Sequence, residues 1–190
     1  MKKEFGPRKK KIKITFDLDG VIIDKPPLIP KRLLEWFFRG GKKNGLNYHF
    51  PTLKLEQWIR KLSHFYLLRP AIKSNIEELK KLDKSGKYEL YAISARYSFL
   101  GKETETWLKK RKLTGLFKKI ILNFNNEQPH LFKERKLKEI KPVFFVEDDG
   151  LIADYLVEKV VGTKIFCLLD KGEVCSRARP MKSLKELPLK

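Results

Sequence analysis

The stretch "KIKITFDLDGVIID", residues 11–24, decides the fold that we predict for this chain. It begins with a run containing several β-branched residues, which predicts a buried strand, and Asp17 and Asp19 follow directly. Carboxylates that crowd together at the end of a buried strand repel each other unless a cation lies among them. We therefore expect this strand to end in a polar site rather than in a plain turn.

Apolar runs and helical patterns alternate after residue 70. An amphipathic helix is predicted over 70–85. Later strands are predicted over 88–94, 118–124, 143–149 and 163–169, with helices between them over 99–112, 131–140 and 150–160. The runs are apolar almost throughout, as in strands covered on both faces. This order favours an α/β fold, a Rossmann-like parallel sheet with helices on both faces, followed by a polar tail.

Residues 25–69 interrupt this order, and we predict that they form a small helical insertion into a core of residues 1–24 and 70–190. Helices are predicted within the insertion over 31–40 and 53–68. Its aromatic residues are Trp36, Phe37, Phe38, Tyr48, Phe50, Trp58, Phe65 and Tyr66, and its candidates to meet a second phosphate are Arg32, Arg39 and Lys42. The aromatic rings either stack a nucleobase or, as is commoner, form the core between the helices and the sheet.

The net charge of +20, from 43 Lys and Arg against 23 Asp and Glu, predicts either an anionic partner or a lysine-rich solvated surface. The basic runs are spread along the whole chain, and no cluster of arginine and aromatic residues matches an RNA-binding motif. This distribution slightly favours the solvated surface. Nucleic acid is therefore a second candidate partner, and a small phosphorylated molecule is the favoured one.

Other features exclude several classes of protein. No apolar run approaches the roughly 20 residues that cross a bilayer, and the basic N-terminus is unlike a signal peptide, so we predict a cytoplasmic protein without a membrane partner. Two cysteines do not make a disulfide framework, and three scattered histidines match no zinc-ligand spacing. No pattern in the sequence indicates an oligomeric state.

Polar residues follow two further predicted strands. Ser94 ends the strand over 88–94, and Glu147, Asp148 and Asp149 end the strand over 143–149. In a parallel sheet, ligands bind at the carboxyl ends of the strands, so these side chains should converge with the first two aspartates. Mg²⁺ together with a phosphate is the natural occupant of such an acidic edge.

The order of these motifs resembles that of the haloacid dehalogenase-like (HAD-like) phosphohydrolases. "DLDGV" at residues 17–21 is similar to the family's first motif, and Ser94 in "AISAR" is similar to the second. Lys133 is the best-placed lysine for the third motif, and Asp148 matches the acidic fourth motif. The resemblance spans about 130 residues of the chain. With a short insertion after the first motif, it looks most like the small-cap, nucleotidase-like branch.

This resemblance implies a role for each matched residue. Asp17 would attack phosphorus and form an aspartyl phosphate, and Asp19 would act as the general acid and base. Mg²⁺ would be bound by the side chains of Asp17 and Asp148 and would also face the backbone carbonyl of Asp19. Ser94, with Ala95 beside it, and Lys133 would bind the oxygens of the substrate phosphate.

The acidic triplet leaves one question open. Alternate side chains of a strand point to opposite faces, so Glu147, Asp148 and Asp149 cannot all bind one metal ion. We predict Asp148, with Glu147 or Asp149 as the alternative ligand or as an outer partner of the site. Arg96 either reaches the substrate or lies at the surface.

The resemblance implies a Mg²⁺-dependent phosphomonoester hydrolase that acts on a nucleotide or another small phosphorylated metabolite. Two alternatives use the same fold. One is a nucleic-acid-binding protein whose basic charge provides affinity, and the other is a phosphatase of nucleic-acid ends.

Overall fold

The computed structural model of the protein describes residues 10–27, 45–169 and 174–189. The helix predicted over 31–40 lies outside these residues. So do several residues that the sequence singled out within the insertion, namely Arg32, Trp36, Phe37, Phe38, Arg39 and Lys42. The division into a core and an inserted cap stays a prediction.

Six parallel strands form one sheet. In chain order they are β1 (Ile12–Asp17), β2 (Tyr88–Tyr97), β3 (Lys119–Asn123), β4 (Phe144–Glu147), β5 (Lys164–Leu168) and β6 (Arg179–Met181). Their order across the sheet is β3-β2-β1-β4-β5-β6, so β1 lies between β2 and β4. Asp17 is opposite Ile93 of β2 in the register, and Phe16 is opposite Val146 of β4.

Five α-helices lie in the described part of the chain. They are α1 (Lys54–Ser63), α2 (Lys73–Lys84), α3 (Gly101–Lys110), α4 (Pro129–Ile140) and α5 (Gly150–Lys159). Short 3₁₀ helices span Ser98–Leu100 and Leu184–Glu186. None of the helices in this part is long and apolar enough to cross a membrane.

Helices cover both faces of the sheet because alternate residues of each strand point to opposite sides. On one face, Phe16 of β1 packs in a cluster with Leu79 of α2 and Trp107 of α3. On the other face, Phe145 of β4 packs in a cluster with Phe132 of α4 and residues of α5. The predicted Rossmann-like α/β fold is confirmed.

The predicted polar tail is wrong. Residues 179–181 add strand β6 to the edge of the sheet by pairing with β5, and Met181, Leu184 and Leu187 are buried. A three-residue edge strand that contains proline gives no recognisable periodicity, and its apolar residues are separated by charged ones. The sequence pattern was therefore too short to indicate it.

Candidate active site

Asp17 lies at the carboxyl end of the central strand β1 and is only 4% exposed. Nζ of Lys133, from α4, lies 3.1 Å from its Oδ1. The same Nζ lies 2.6 Å from Oε2 of Glu147, which is the last residue of β4 and is fully buried. The lysine predicted from the sequence therefore contacts two acids from neighbouring strands.

Burial disfavours the charged form of each acid in this cluster. It raises the pKa of Asp17 to about 6, although the charge of Lys133 opposes the shift, and it raises the pKa of Glu147 well above its usual value. Burial lowers the pKa of Lys133, but the charges of Asp17 and Glu147 more than compensate and raise it. A further cation among these acids would stabilise their ionised forms.

Asp17, Glu147 and Asp148 form a candidate metal site. Each offers a carboxylate oxygen, and these oxygens lie within 4.8 Å of one another. Three carboxylates from two adjacent strand ends are a donor set that suits a hard divalent cation such as Mg²⁺. The set contains the predicted ligands Asp17 and Asp148 and adds Glu147, which the sequence left as an alternative.

Gly20 allows Asp148 to approach the chain that follows β1. A Cβ atom at this position would lie 1.9 Å from Oδ2 of Asp148, and the residue has φ of +69°. A side chain here would displace the carboxylate and would also strain the backbone. The glycine of "DLDG" therefore makes room for an acid of the candidate metal site.

Asp149 has a different role from its two acidic neighbours. Its Oδ1 accepts hydrogen bonds from the backbone N–H groups of Leu151 and Ile152, at 3.1 and 3.3 Å, and so caps the N-terminus of α5. Its Oδ2 accepts a hydrogen bond of 2.6 Å from the hydroxyl of Tyr48. Both of its oxygens are engaged and it lies outside the cluster of the other three acids, so the structure favours Asp148 over Asp149 as a metal ligand, while Glu147 also holds Lys133.

Ser94 does not end its strand, contrary to the sequence prediction. Strand β2 continues to Tyr97, and its register with β3 shifts between Ser94 and Tyr97. Oγ of Ser94 accepts a hydrogen bond of 3.4 Å from the backbone N–H of Arg96, and the side chain is buried. Ala95, rather than Ser94, lines the cavity described below, and binding of phosphate by this pair stays a prediction.

The side chain of Asp19 lies among arginines and not in the acidic metal cluster. Nε of Arg96 donates to its Oδ2 at 2.7 Å, Nη2 of Arg96 donates to Oδ1 at 2.6 Å, and Nη2 of Arg69 also donates to Oδ1. Burial raises the pKa of Asp19, but the two arginines hold it well below its usual range. Contact of its backbone carbonyl with a metal stays a prediction.

The sequence left Arg96 undecided and did not indicate Arg69. Arg96 could have been placed at this edge, because it lies three residues after Ile93, which is opposite Asp17 in the neighbouring parallel strand. Arg69 lies 50 residues from Asp19 in the chain, and no local pattern connects the two.

A cavity of about 410 Å³ lies at this edge of the sheet. Asp17, Asp148 and Arg96 line it from the sheet, and Arg60, His64 and Tyr48 line it from the described part of residues 25–69. Two further contacts fix this part to the core: the backbone N–H of Tyr48 donates to Oε1 of Gln128 at 2.8 Å, and Nε1 of Trp107 donates to the carbonyl oxygen of Arg69 at 2.7 Å. The described part of the insertion therefore forms one wall of the cavity.

The aromatic residues of the described insertion do not act as one group. Tyr48 lines the cavity, and the Phe50 ring packs edge-on against Tyr97 with centroids 4.9 Å apart. Trp58 and Phe65 are exposed by 58% and 45% and do not line the cavity. Of the predicted base-stacking residues that the structure describes, only Tyr48 lines the cavity.

Comparisons with known proteins identify the fold. A HAD-family enzyme from Bacteroides thetaiotaomicron, crystallised with magnesium and inorganic phosphate, is 16% identical, with a TM-score of 0.52 over 88% of this chain and 98% of that chain. The β-phosphoglucomutase of a hyperthermophilic Pyrococcus species is 15% identical, with a TM-score of 0.56 over 93% and 94%. A chain of the Pnkp1/Rnl/Hen1 RNA repair complex is 14% identical, with a TM-score of 0.51 over 84% of this chain and 43% of that one.

No family model matches the sequence, and no curated protein matches it at a significant level. The structural neighbours include HAD-family enzymes, hydrolases and phosphatases. At these identities the likeness shows the fold, and the chain has the HAD fold that its motifs predicted. The neighbours do not single out the small-cap, nucleotidase-like branch.

Proposed function

We propose that the protein is a Mg²⁺-dependent phosphomonoester hydrolase that works through an aspartyl phosphate at Asp17. The observation that carries the proposal is the cluster of Asp17, Glu147 and Asp148 at the carboxyl end of the central strands, with Lys133 against Asp17. A HAD-family neighbour was crystallised with magnesium and phosphate, which supports the same type of occupant here.

The side chains divide the work of phosphoryl transfer. Asp17 is the nucleophile, and its attack on phosphorus divides one difficult displacement into the formation and hydrolysis of a covalent intermediate. Bound Mg²⁺ would neutralise the clustered acids and the charge of the phosphoryl oxygens. Lys133, held by Glu147, fixes the orientation of Asp17 and places a positive charge beside the phosphoryl group.

Asp19 is the candidate general acid and base, as the motif predicted. Both of its oxygens accept hydrogen bonds from arginine in this structure. To protonate a leaving alcohol, it must first exchange at least one of these contacts for the substrate and take up a proton from solvent, because the arginines hold it ionised. The conformation described here therefore fits the state before the substrate binds.

The volume of the cavity fits a small substrate, such as a nucleotide or another phosphorylated metabolite. A phosphatase of nucleic-acid ends is the second candidate, favoured by the charge of +20 and by the likeness to a chain of an RNA repair complex. A protein that only binds nucleic acid has no use for three carboxylates where a polyanion would dock, so we favour the enzymes over it.

Hydrolysis of a generic aryl phosphate tests the proposal. We expect release of phosphate that requires Mg²⁺, stops with EDTA and is lost in the Asp17→Asn variant. Asp83→Asn is the matched control, since Asp83 is exposed near the end of α2 and does not line the cavity. If folded wild-type protein with Mg²⁺ hydrolyses neither the aryl phosphate nor any member of a panel of phosphorylated metabolites and oligonucleotides, the proposal is wrong.

A further inference from the structure

Two buried arginines face one carboxylate in the wall of the cavity. The side chains of Arg69 and Arg96 are 6% and 5% exposed, and both donate hydrogen bonds to Asp19. The remaining described side-chain hydrogen bond of Arg96 goes to the neutral hydroxyl of Thr104, at 3.0 Å. Asp19 is thus the one acid that both arginines contact directly in the described structure.

Arg69 also has an unused donor. Its Nε is buried and has no hydrogen-bond partner among the described residues. A buried donor of a charged group that lacks a partner is costly, and a ligand that accepts from it removes the cost. Asp24 and Asp148 act on Arg69 only through their charge, and Asp148 belongs to the cluster that a metal ion would neutralise.

Besides Asp24, which acts on Arg69 at a distance, the other titratable groups at this end of the cavity add no negative charge. His64 is buried, and its burial together with the charges of Arg96 and Arg69 lowers its pKa to about 3, so it is neutral near pH 7. Arg60 adds a cation, whose Nη2 lies 3.0 Å from Oε1 of Glu56. Two buried guanidinium groups therefore share hydrogen bonds to one carboxylate, which is itself 33% exposed.

We propose that Arg69 and Arg96 form a second anion-binding subsite, which accepts a carboxylate or a second phosphate of the substrate. This inference rests on the proposed hydrolase and specifies its substrate class: a small phosphomonoester that carries another anionic group a few bonds from the ester. Arg69, Arg96, Asp17 and Asp19 line the same cavity. Because two residues of chain span at most about 7 Å, a compact molecule can reach both Asp17 and the arginines beside Asp19.

In this arrangement, Asp19 holds the two arginines in place when no substrate is bound. An incoming anion accepts the hydrogen bonds of the guanidinium groups, which are suited to bidentate contact with carboxylate or phosphate. Asp19 is then released toward the ester oxygen. A substrate without the second anion leaves Asp19 bound to the arginines.

Three matched substrates test the subsite: glycerol 3-phosphate, 3-phosphoglycerate and glycerol 1,3-bisphosphate. The second adds a carboxylate and the third adds a phosphate, so their comparison also separates the two sources of anion. We expect the wild-type kcat/KM for at least one substrate with a second anionic group to exceed that for glycerol 3-phosphate by at least about tenfold, the effect of 1.4 kcal/mol of binding. Equal values for all three would overturn the proposal while leaving the hydrolase intact.

Variants locate the preference on the two arginines. In Arg69→Gln and Arg96→Gln, the ratio of kcat/KM between the preferred substrate with a second anionic group and glycerol 3-phosphate should fall about tenfold. Arg111→Gln is the matched control, since Arg111 is exposed beyond the end of α3 and should leave the ratio unchanged. A ratio that stays at the wild-type value in both arginine variants would overturn the proposal, and Arg96→Lys provides a second variant if Arg96→Gln does not fold.

Direct binding separates the subsite from the hydrolase. Titration calorimetry of 3-phosphoglycerate and the bisphosphate into Asp17→Asn protein should show binding that weakens about tenfold when Arg69→Gln is added. If no phosphoester is hydrolysed but this dependence on Arg69 is found, the subsite stands and the proposed hydrolase is wrong. Binding that Arg69→Gln leaves unchanged would refute the subsite.

Discussion

Acid should destabilise the fold through His64, a residue that sequence reasoning assigned no role. The side chain is 4% exposed, and its Nδ1 lies 2.7 Å from the carbonyl oxygen of Arg60. Burial and the charges of Arg96 and Arg69 lower its pKa to about 3, against about 6.5 in an unfolded chain. Between these values the unfolded chain binds a proton that the folded protein does not, so stability falls as the pH falls.

The size of this effect follows from the two pKa values. From pH 7.5 to pH 5.0, the free energy of unfolding should fall by about 2 kcal/mol because His64 stays neutral in the folded protein. This value follows from about 1.4 kcal/mol per pKa unit. The raised pKa of Asp17 has the opposite sign, because the folded protein then binds the proton first and is stabilised as the pH falls. The total pH dependence therefore mixes several groups, and only a comparison with a His64 variant isolates this one.

Urea unfolding at pH 7.5 and at pH 5.0 measures the effect. We expect the wild type to lose about 2 kcal/mol more between the two pH values than His64→Gln does. His49→Gln, which removes an exposed histidine of the same insertion, is the control for the replacement itself. The pH-dependent loss of unfolding free energy is the quantity compared. If it differs by less than about 0.5 kcal/mol between wild type and His64→Gln, His64 is not neutral and buried, given that one pKa unit is about 1.4 kcal/mol.

Three further substitutions test the acidic edge. Gly20→Ala should lower Mg²⁺-dependent hydrolysis at least about 100-fold, because its Cβ would clash with Asp148. Gly86→Ala is the control: its φ is similar, +68°, but no atom lies within 4 Å of the added Cβ. It should cost about 1 kcal/mol of stability without loss of activity. Lys133→Met should abolish hydrolysis and, by leaving two buried acids without their cation, lower the unfolding free energy by about 3 kcal/mol. Asp149→Ala should cost about 1 kcal/mol of stability, because the helix loses its N-terminal cap. It should reduce activity less than Asp148→Asn does. A larger loss of activity than in Asp148→Asn would show that Asp149 is the metal ligand.

The strands and the position of the site could be predicted because both depend on local pattern. An apolar run long enough to cross a covered sheet indicates a strand, and parallel strands bring their carboxyl ends to one edge. Asp17 and Glu147 could therefore be placed together although 130 residues separate them. Lys133 was predicted from the resemblance to the family's third motif, a lysine near the start of the helix before the acidic fourth motif.

The remaining features depend on contacts that no local pattern records. The polar residues that begin at Ser94 predict a strand end there, yet the pairing of β2 with β3 continues past an irregular register to Tyr97. On α1, Trp58 is exposed and Arg60 is buried, which is the reverse of what their hydrophobicity predicts. The reason is that the face of α1 that lines the cavity is polar. The hydrophobicity pattern shows that a helix has an apolar face and a polar face. It does not show which of the two faces points inward when the helix lies against a polar cavity.

The two aspartates of "DLDG" have opposite electrostatic environments although one residue separates them. Asp17 is the last residue of β1 and meets a lysine that it shares with Glu147, so burial prevails and its pKa rises. The chain then leaves the strand: the backbone N–H of Gly20 donates to the carbonyl oxygen of Ile23 at 2.8 Å. This turn places Asp19 against the arginines.

The separation has a consequence for the reaction. A nucleophile and an acid that shared one environment would titrate together, and the ionised form of one would oppose ionisation of the other. Here each carboxylate has its own cationic partner, from α4 for Asp17 and from β2 and the insertion for Asp19. One partner of Asp19, Arg69, lies at the end of the predicted insertion, so an anion that binds the arginines would also change the environment of Asp19. In the proposed hydrolase, this contact would join substrate choice to proton transfer.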